Sequence, residues 1–131
     1  MKTKSLLIVT ALCEAPAGIG LIVLASQAAD LVLGWGRSSP ETAALARVAG
    51  AAITALALSC WLARNGEPLG QRGLVGGLLS YNVLIPVVFA AGFLNGTMTG
   101  ILVLPGCLVH TALALWCVMC LRDAATTLPR A

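Results

Sequence analysis

Two ionisable residues of this chain stand inside strongly apolar stretches of sequence. Glu14 lies in the apolar run that follows the first basic residues, and His110 is the only histidine of the chain. An ionised group at the centre of a bilayer costs several kcal/mol unless it finds a partner, so such residues usually face the interior of a bundle. Facing each other, an acid and an imidazole can share a proton or form a hydrogen-bonded ion pair. The pair predicts a proton-binding site or a site for a small polar ligand.

Three further polar residues are expected at the depth of this pair. Counted from the basic residue that flanks each apolar run on the predicted cytoplasmic side, Glu14, Thr54 and Asn82 each lie ten residues into the run, and His110 lies twelve. At the helical rise per residue, these side chains share a layer roughly 15–18 Å below the ring of basic residues. Tyr81 is the sequence neighbour of Asn82. The predicted ligand-binding or proton-binding residues are therefore Glu14, Thr54, Tyr81, Asn82 and His110.

Three interpretations of this polar layer stay open. The leading one is a non-enzymatic bundle in which the layer holds the helices in register or binds a small ligand, since interhelical hydrogen bonds contribute about 0.6 kcal/mol each. The second is a proton-coupled carrier of small molecules with Glu14 as its proton site. The third is a membrane redox subunit that binds quinone or haem near His110.

Other kinds of chemistry have little support in the sequence. Cys117 and Cys120 form a C-x-x-C pattern, but at the C-terminal end of a predicted helix, where the helix dipole does not activate a thiol. Cys107 and His110 share a helical face without a further metal-ligand motif. The sequence has no phosphate-binding loop, nucleophile elbow or zinc-protease motif. We therefore expect no metal site and no resident cofactor in the leading interpretation.

Four apolar runs must position these residues. Of the 131 residues, 59% are hydrophobic and 10% are charged, which is too few charges for a water-facing surface. The runs cover about 5–25, 42–63, 73–94 and 99–121. Each is near the ~20 residues that cross a hydrocarbon layer of ~30 Å. The composition predicts an all-α integral membrane bundle of four transmembrane helices, forming one domain over residues 1–131, with 26–36 lying along the membrane surface.

The distribution of basic residues predicts the orientation of this bundle. Four spans place both termini on the same side, which also carries six basic residues, while the opposite side carries two, Arg37 and Arg47. The positive-inside rule then places both termini in the cytoplasm of a cell, in a multi-pass inner-membrane protein. Because the basic residues flank apolar runs and do not cluster on one face, the expected partner is membrane lipid and not nucleic acid. A homo-oligomer or a larger membrane complex stays open.

Short motifs are spread over nearly the whole chain. They are Glu14 with Gly18, Arg47 with Gly50, Trp61 with Arg64, Tyr81 with Asn82, and His110 in the last apolar run. Together they resemble those of small four-helix bacterial membrane proteins that are loosely similar to the DoxX-like group. That resemblance implies a four-helix membrane fold and, for some members of the group, a quinone-linked redox subunit. The Arg-to-Gly motif that opens the first helix of DoxX-like proteins is missing, so no functional residue is carried over.

Overall fold

The structure is a bundle of long apolar helices. The computed structural model describes residues 2–36 and 38–126, and within these ranges the secondary structure consists of five α-helices with no strand. Four of the five, α1, α3, α4 and α5, are long and apolar enough to span a membrane. The predicted all-α membrane fold is confirmed. The helices are α1 (Lys2–Val23), α2 (Ala25–Leu33), α3 (Pro40–Ala63), α4 (Pro68–Leu94) and α5 (Val103–Thr126).

Local sequence signals explain where several of these helices begin and end. The Ser39 side chain accepts a hydrogen bond from the Thr42 N–H, and Pro40 occupies the first helical position of α3. Helix α4 also begins with a proline, Pro68. Helix α2 ends at Gly34, whose φ of 77° is the left-handed conformation that glycine adopts most easily. These bounds lie within a few residues of the predicted ones.

The segment expected to lie along the membrane surface contains the short helix α2. Its inner face is made of Ala25 and Ala29, which are buried against Ala43 and Ala46 of α3. Its outer side exposes apolar residues, among them Leu31, and Trp35 is exposed just after the helix. A helix with one packed face and one exposed apolar face fits the boundary between headgroups and acyl chains.

The last long helix begins later than its apolar composition predicts. We expected a span from residue 99, but α5 starts at Val103. Residues 97–102 form a loop, which we call the strap, and three of its backbone N–H groups donate to the last turn of α2. Because the final carbonyls of a helix have no partner inside it, the strap caps α2 and cannot join α5. The hydrogen bonds run from Thr99 N–H to the Leu33 carbonyl (3.1 Å), from Gly100 to Val32 (2.9 Å) and from Leu102 to Leu31 (2.9 Å).

The four long helices associate as two pairs. Helix α1 packs mainly against α3, and α4 mainly against α5, while contact between the pairs is sparser and includes that of α1 with α5 and of α3 with α4. In the α1–α3 pair the backbones approach closely, since a Cβ added to Gly18 would come within 2.9 Å of the Gly50 carbonyl oxygen. Small residues at such crossings allow the close van der Waals packing that holds membrane helices together.

One buried apolar cluster contains residues from all four long helices, and it lies toward one end of the bundle. The Lys2 ammonium and the Asp123 carboxylate are 2.9 Å apart at that end, which we call the Lys2 end. The opposite end carries α2 and the strap, and we call it the α2 end. The cluster, called the four-helix core below, consists of Leu6, Leu7, Ala11, Cys60, Val75, Leu78, Leu113, Cys117 and Cys120.

Candidate functional site

The Glu14 carboxylate lies inside the bundle and meets residues of two other helices. Glu14 is only 5% exposed. The Tyr81 hydroxyl on α4 donates a hydrogen bond to Glu14 Oε2 at 3.1 Å. Glu14 Oε1 stands 4.0 Å from Nδ1 of His110 on α5. The acid of the α1–α3 pair is therefore in contact with the α4–α5 pair through a hydroxyl and an imidazole.

A second hydrogen bond fixes the orientation of the imidazole. Asn82 is completely buried, and its Oδ1 lies 2.8 Å from His110 Nδ1. The Asn82 amide nitrogen donates to the Leu78 carbonyl of its own helix at 2.8 Å. Because the amide nitrogen is engaged there, the amide oxygen faces the ring and must accept a hydrogen bond from Nδ1–H. In the neutral ring, Nε2 is then the basic nitrogen.

The ring of Tyr81 packs against the same imidazole. The two ring centroids are 5.3 Å apart, and the planes meet at 84° in an edge-to-face arrangement. This geometry is the favoured one for aromatic pairs. Tyr81 thus contacts both the acid and the base, and Glu14, Tyr81, Asn82 and His110 form one connected set, which we call the Glu14 cluster.

Thr54, the fifth residue of the predicted site, is placed elsewhere. Its hydroxyl donates to the Gly50 carbonyl of its own helix at 2.8 Å, and it lies against Gly18 in the α1–α3 contact. Among the described residues, no hydrogen bond joins it to the Glu14 cluster. Counting residues gives depth along a helix axis but not direction around it, which is why the sequence placed Thr54 with the other four.

Thr10 is a buried polar residue that the sequence interpretation missed. It is completely buried, and within the described part of the chain its hydroxyl has no hydrogen-bond partner. It precedes Glu14 by four residues, so both side chains lie on the same face of α1. The four-residue spacing between Thr10 and Glu14 is the sequence signal that could have identified Thr10. An unpaired buried hydroxyl costs about 1–3 kcal/mol, so its position matters for stability.

The Glu14 cluster has the chemistry to bind and release protons. It contains one carboxylate and one imidazole within ion-pair distance, and imidazole is the side chain that most readily changes charge near neutral pH. Two interacting groups of this kind exchange protons as a unit. The described residues contain no group of three or more His, Cys, Asp or Glu side chains placed to hold a metal ion. No family model, characterised protein or solved structure matches the chain.

Proposed function

We propose that this chain is a non-enzymatic membrane protein whose Glu14 cluster binds and releases a proton near the middle of the membrane. The observation that carries the proposal is the placement of the Glu14 carboxylate between the Tyr81 hydroxyl and the His110 imidazole, inside the bundle. Ionisable residues within membrane spans are costly and usually functional, especially when they face a partner. The proton is proposed to control how firmly the α1–α3 pair is held to the α4–α5 pair.

Ionisation of Glu14 strengthens the contact between the two pairs. A carboxylate accepts the Tyr81 hydrogen bond with roughly twice the strength of a neutral acceptor. It also attracts a protonated His110 across the 4.0 Å gap between Oε1 and Nδ1. A neutral, protonated acid keeps only the weaker hydrogen bond of a neutral acceptor and loses the attraction to His110, a change on the order of a few kcal/mol in a partly buried setting. Protonation of Glu14 therefore loosens the polar link between the pairs.

This arrangement favours the carrier form of the proposal. A proton-coupled carrier needs a protonatable site between two units that can move relative to each other. Here the site lies between two helix pairs whose direct contact is limited. The compound that such a site would bind is small and polar or amphipathic, with a hydrogen-bond donor for the carboxylate or an acceptor for the imidazole.

Infrared spectroscopy of the reconstituted protein at stepped pH tests the proton site. The wild-type protein is expected to show a carboxyl signal that changes with pH and disappears in Glu14→Gln, because the amide cannot ionise. Glu67→Gln is the matched control, since Glu67 is an exposed carboxylate at the start of α4. It should leave the Glu14 signal in place.

Two results would contradict this proposal. One is a spectrum in which Glu14→Gln removes no pH-dependent carboxyl signal although the variant remains folded. The other is purification of the wild-type protein with bound haem or quinone, which would favour the redox alternative suggested by the DoxX-like resemblance.

A further inference from the structure

The Lys2 end of the bundle is closed by apolar side chains from all four long helices. Leu6, Leu7 and Leu78 of the four-helix core are completely buried. Close-packed apolar interiors have few voids large enough for water. Leu7 precedes Glu14 by seven residues, so this closed layer separates the carboxylate from the Lys2 end over about 10 Å. A proton or polar solute from that side meets the apolar layer of Leu6, Leu7 and Leu78 before it reaches Thr10 and Glu14.

Toward the α2 end, several apolar contacts lie within one pair. In the α1–α3 pair the alanines of α2 lie against those of α3. In the α4–α5 pair, Gly106 lies against the Phe89 ring, and the Cys107 thiol approaches the Pro86 carbonyl at 3.9 Å. Among residues 2–36 and 38–123, no buried apolar cluster on this side of Glu14 contains members of both pairs.

The strap rejoins the two pairs beyond this region. Its three backbone hydrogen bonds to α2 hold the start of α5 against the α1–α3 pair. The pairs therefore meet at the four-helix core, at the Glu14 cluster and at the strap, and among the described residues no buried apolar cluster joins them between the last two. The side chain of His110 is 14% exposed and that of Glu14 is 6% exposed, so the imidazole is the more accessible member of the pair.

We infer that the Glu14 cluster exchanges protons and small polar solutes with the α2 end only, through the gap between the helix pairs beneath the strap. The four-helix core closes the Lys2 end in the same conformation. That the cluster exchanges protons rests on the proposed function. The direction of access rests only on the positions of the buried side chains. The two can therefore fail independently.

The native cysteines provide reporters on both sides of the cluster. Cys107 is half-buried and lies one helical turn from His110 toward the α2 end. Cys60 and Cys117 are completely buried members of the four-helix core. A charged, membrane-impermeant maleimide reacts only with thiols that water reaches. The chain can therefore be tested without any substitution.

The experiment uses the wild-type protein in liposomes, with a sulfonated maleimide outside and peptide mapping by mass spectrometry. A cleavable N-terminal tag separates the two orientations, because external protease removes it only when the Lys2 end faces outward. When the α2 end faces outward, Cys107 is expected to be modified at least about tenfold more than Cys117. A tenfold ratio corresponds to a difference of about 1.4 kcal/mol in the free energy of exposing the two thiols to water. With the Lys2 end outward, both thiols should stay unmodified.

The inference is overturned if Cys60, Cys107 or Cys117 is modified from the Lys2 end, or if Cys107 is modified from neither side. Ile85→Cys supplies a second reporter in the α4–α5 pair, since Ile85 is half-buried and one turn beyond Tyr81 toward the α2 end. Its modification should follow that of Cys107. One-sided labelling without a pH-dependent Glu14 carboxyl signal would support one-sided access and contradict the proposed function. A Glu14 signal without one-sided labelling would support the proposed function and contradict one-sided access.

Discussion

Tyr81 is the residue that connects the chemistry of the site. Its hydroxyl donates to the Glu14 carboxylate at 3.1 Å, and its ring contacts His110 edge to face. A single side chain thus links the acid of α1 to the base of α5. The hydroxyl and the ring make separate contributions, and substitutions can separate them.

Tyr81→Phe removes the hydroxyl and keeps the ring. The free energy of unfolding should fall by about 1 kcal/mol, the usual net contribution of one hydrogen bond. Thermal or denaturant unfolding in detergent measures it. Ser80→Ala is the control, because the Ser80 hydroxyl is exposed and donates only to the Gly76 carbonyl of its own helix. Equal stability of Tyr81→Phe and the wild-type protein would show that this hydrogen bond contributes nothing.

Thr10→Val should stabilise the protein by about 1 kcal/mol or more. The substitution keeps the side-chain shape and removes a buried hydroxyl that has no partner within the described residues. Thr54→Val is the matched comparison, since it removes a hydroxyl that donates to the Gly50 carbonyl and should not stabilise. Unfolding in the same detergent compares the two. A loss of stability in Thr10→Val would mean that the hydroxyl has a stabilising role.

At the scale of helices, the close α1–α3 contact and the strap determine how the site is held. Gly18 allows α1 to approach α3 one turn beyond Glu14, where an added Cβ would come within 2.5 Å of the Thr54 hydroxyl oxygen. The strap then ties α5 to α2 at the far end of the bundle. Both contacts lie on the α2 side of Glu14, where we infer access.

Gly18→Ala should therefore destabilise the protein, because the methyl group would force α1 away from α3 at the level of the site. The matched control is Gly77→Ala in α4, where an added Cβ meets nothing within 4 Å. That control should be neutral or stabilising by up to about 1 kcal/mol, as alanine favours helix more than glycine. Melting temperatures of both variants give the comparison. Similar effects of the two substitutions would contradict the described α1–α3 packing.

The sequence predicted helix type and depth well because both follow from local rules. Apolar runs of the right length specify membrane helices, and the constant rise per residue brings Glu14, Asn82 and His110 to one level. Direction around the helix axis depends on packing between helices, so Thr54 could not be assigned. The predicted start of α5 was wrong because it also depends on packing. Residues 99–102 are apolar enough for a helix, but the N–H groups of Thr99, Gly100 and Leu102 donate to α2, a segment far away in sequence.

At the scale of the whole molecule, two helix pairs are joined by an apolar core, a polar cluster and a strap. The Lys2 end also carries an ion pair between Lys2 and Asp123, at 2.9 Å. The excess of basic residues in the sequence predicts that this end faces the cytoplasm.

Epitope insertion tests that orientation in bacterial cells. An epitope at Gly96, in the exposed break after α4, should be reached by an antibody added to cells with a permeable outer membrane. An epitope at Gly66, in the exposed break between α3 and α4, should be reached only after the inner membrane is opened. The opposite pattern would reverse the orientation, and it would also reverse the compartment with which Glu14 exchanges protons.

The central claim, that a proton on Glu14 controls the contact between the two pairs, is tested most directly by a distance between them. Spin labels at Val48 of α3 and Leu104 of α5, both exposed, report the separation toward the α2 end after Cys13 and Cys107 are replaced by alanine. Acidification should lengthen the distance by about 2 Å, the scale of known helix shifts, and Glu14→Gln should remove the pH dependence. An unchanged wild-type distance across the pH range, or the same shift in Glu14→Gln, would contradict the account.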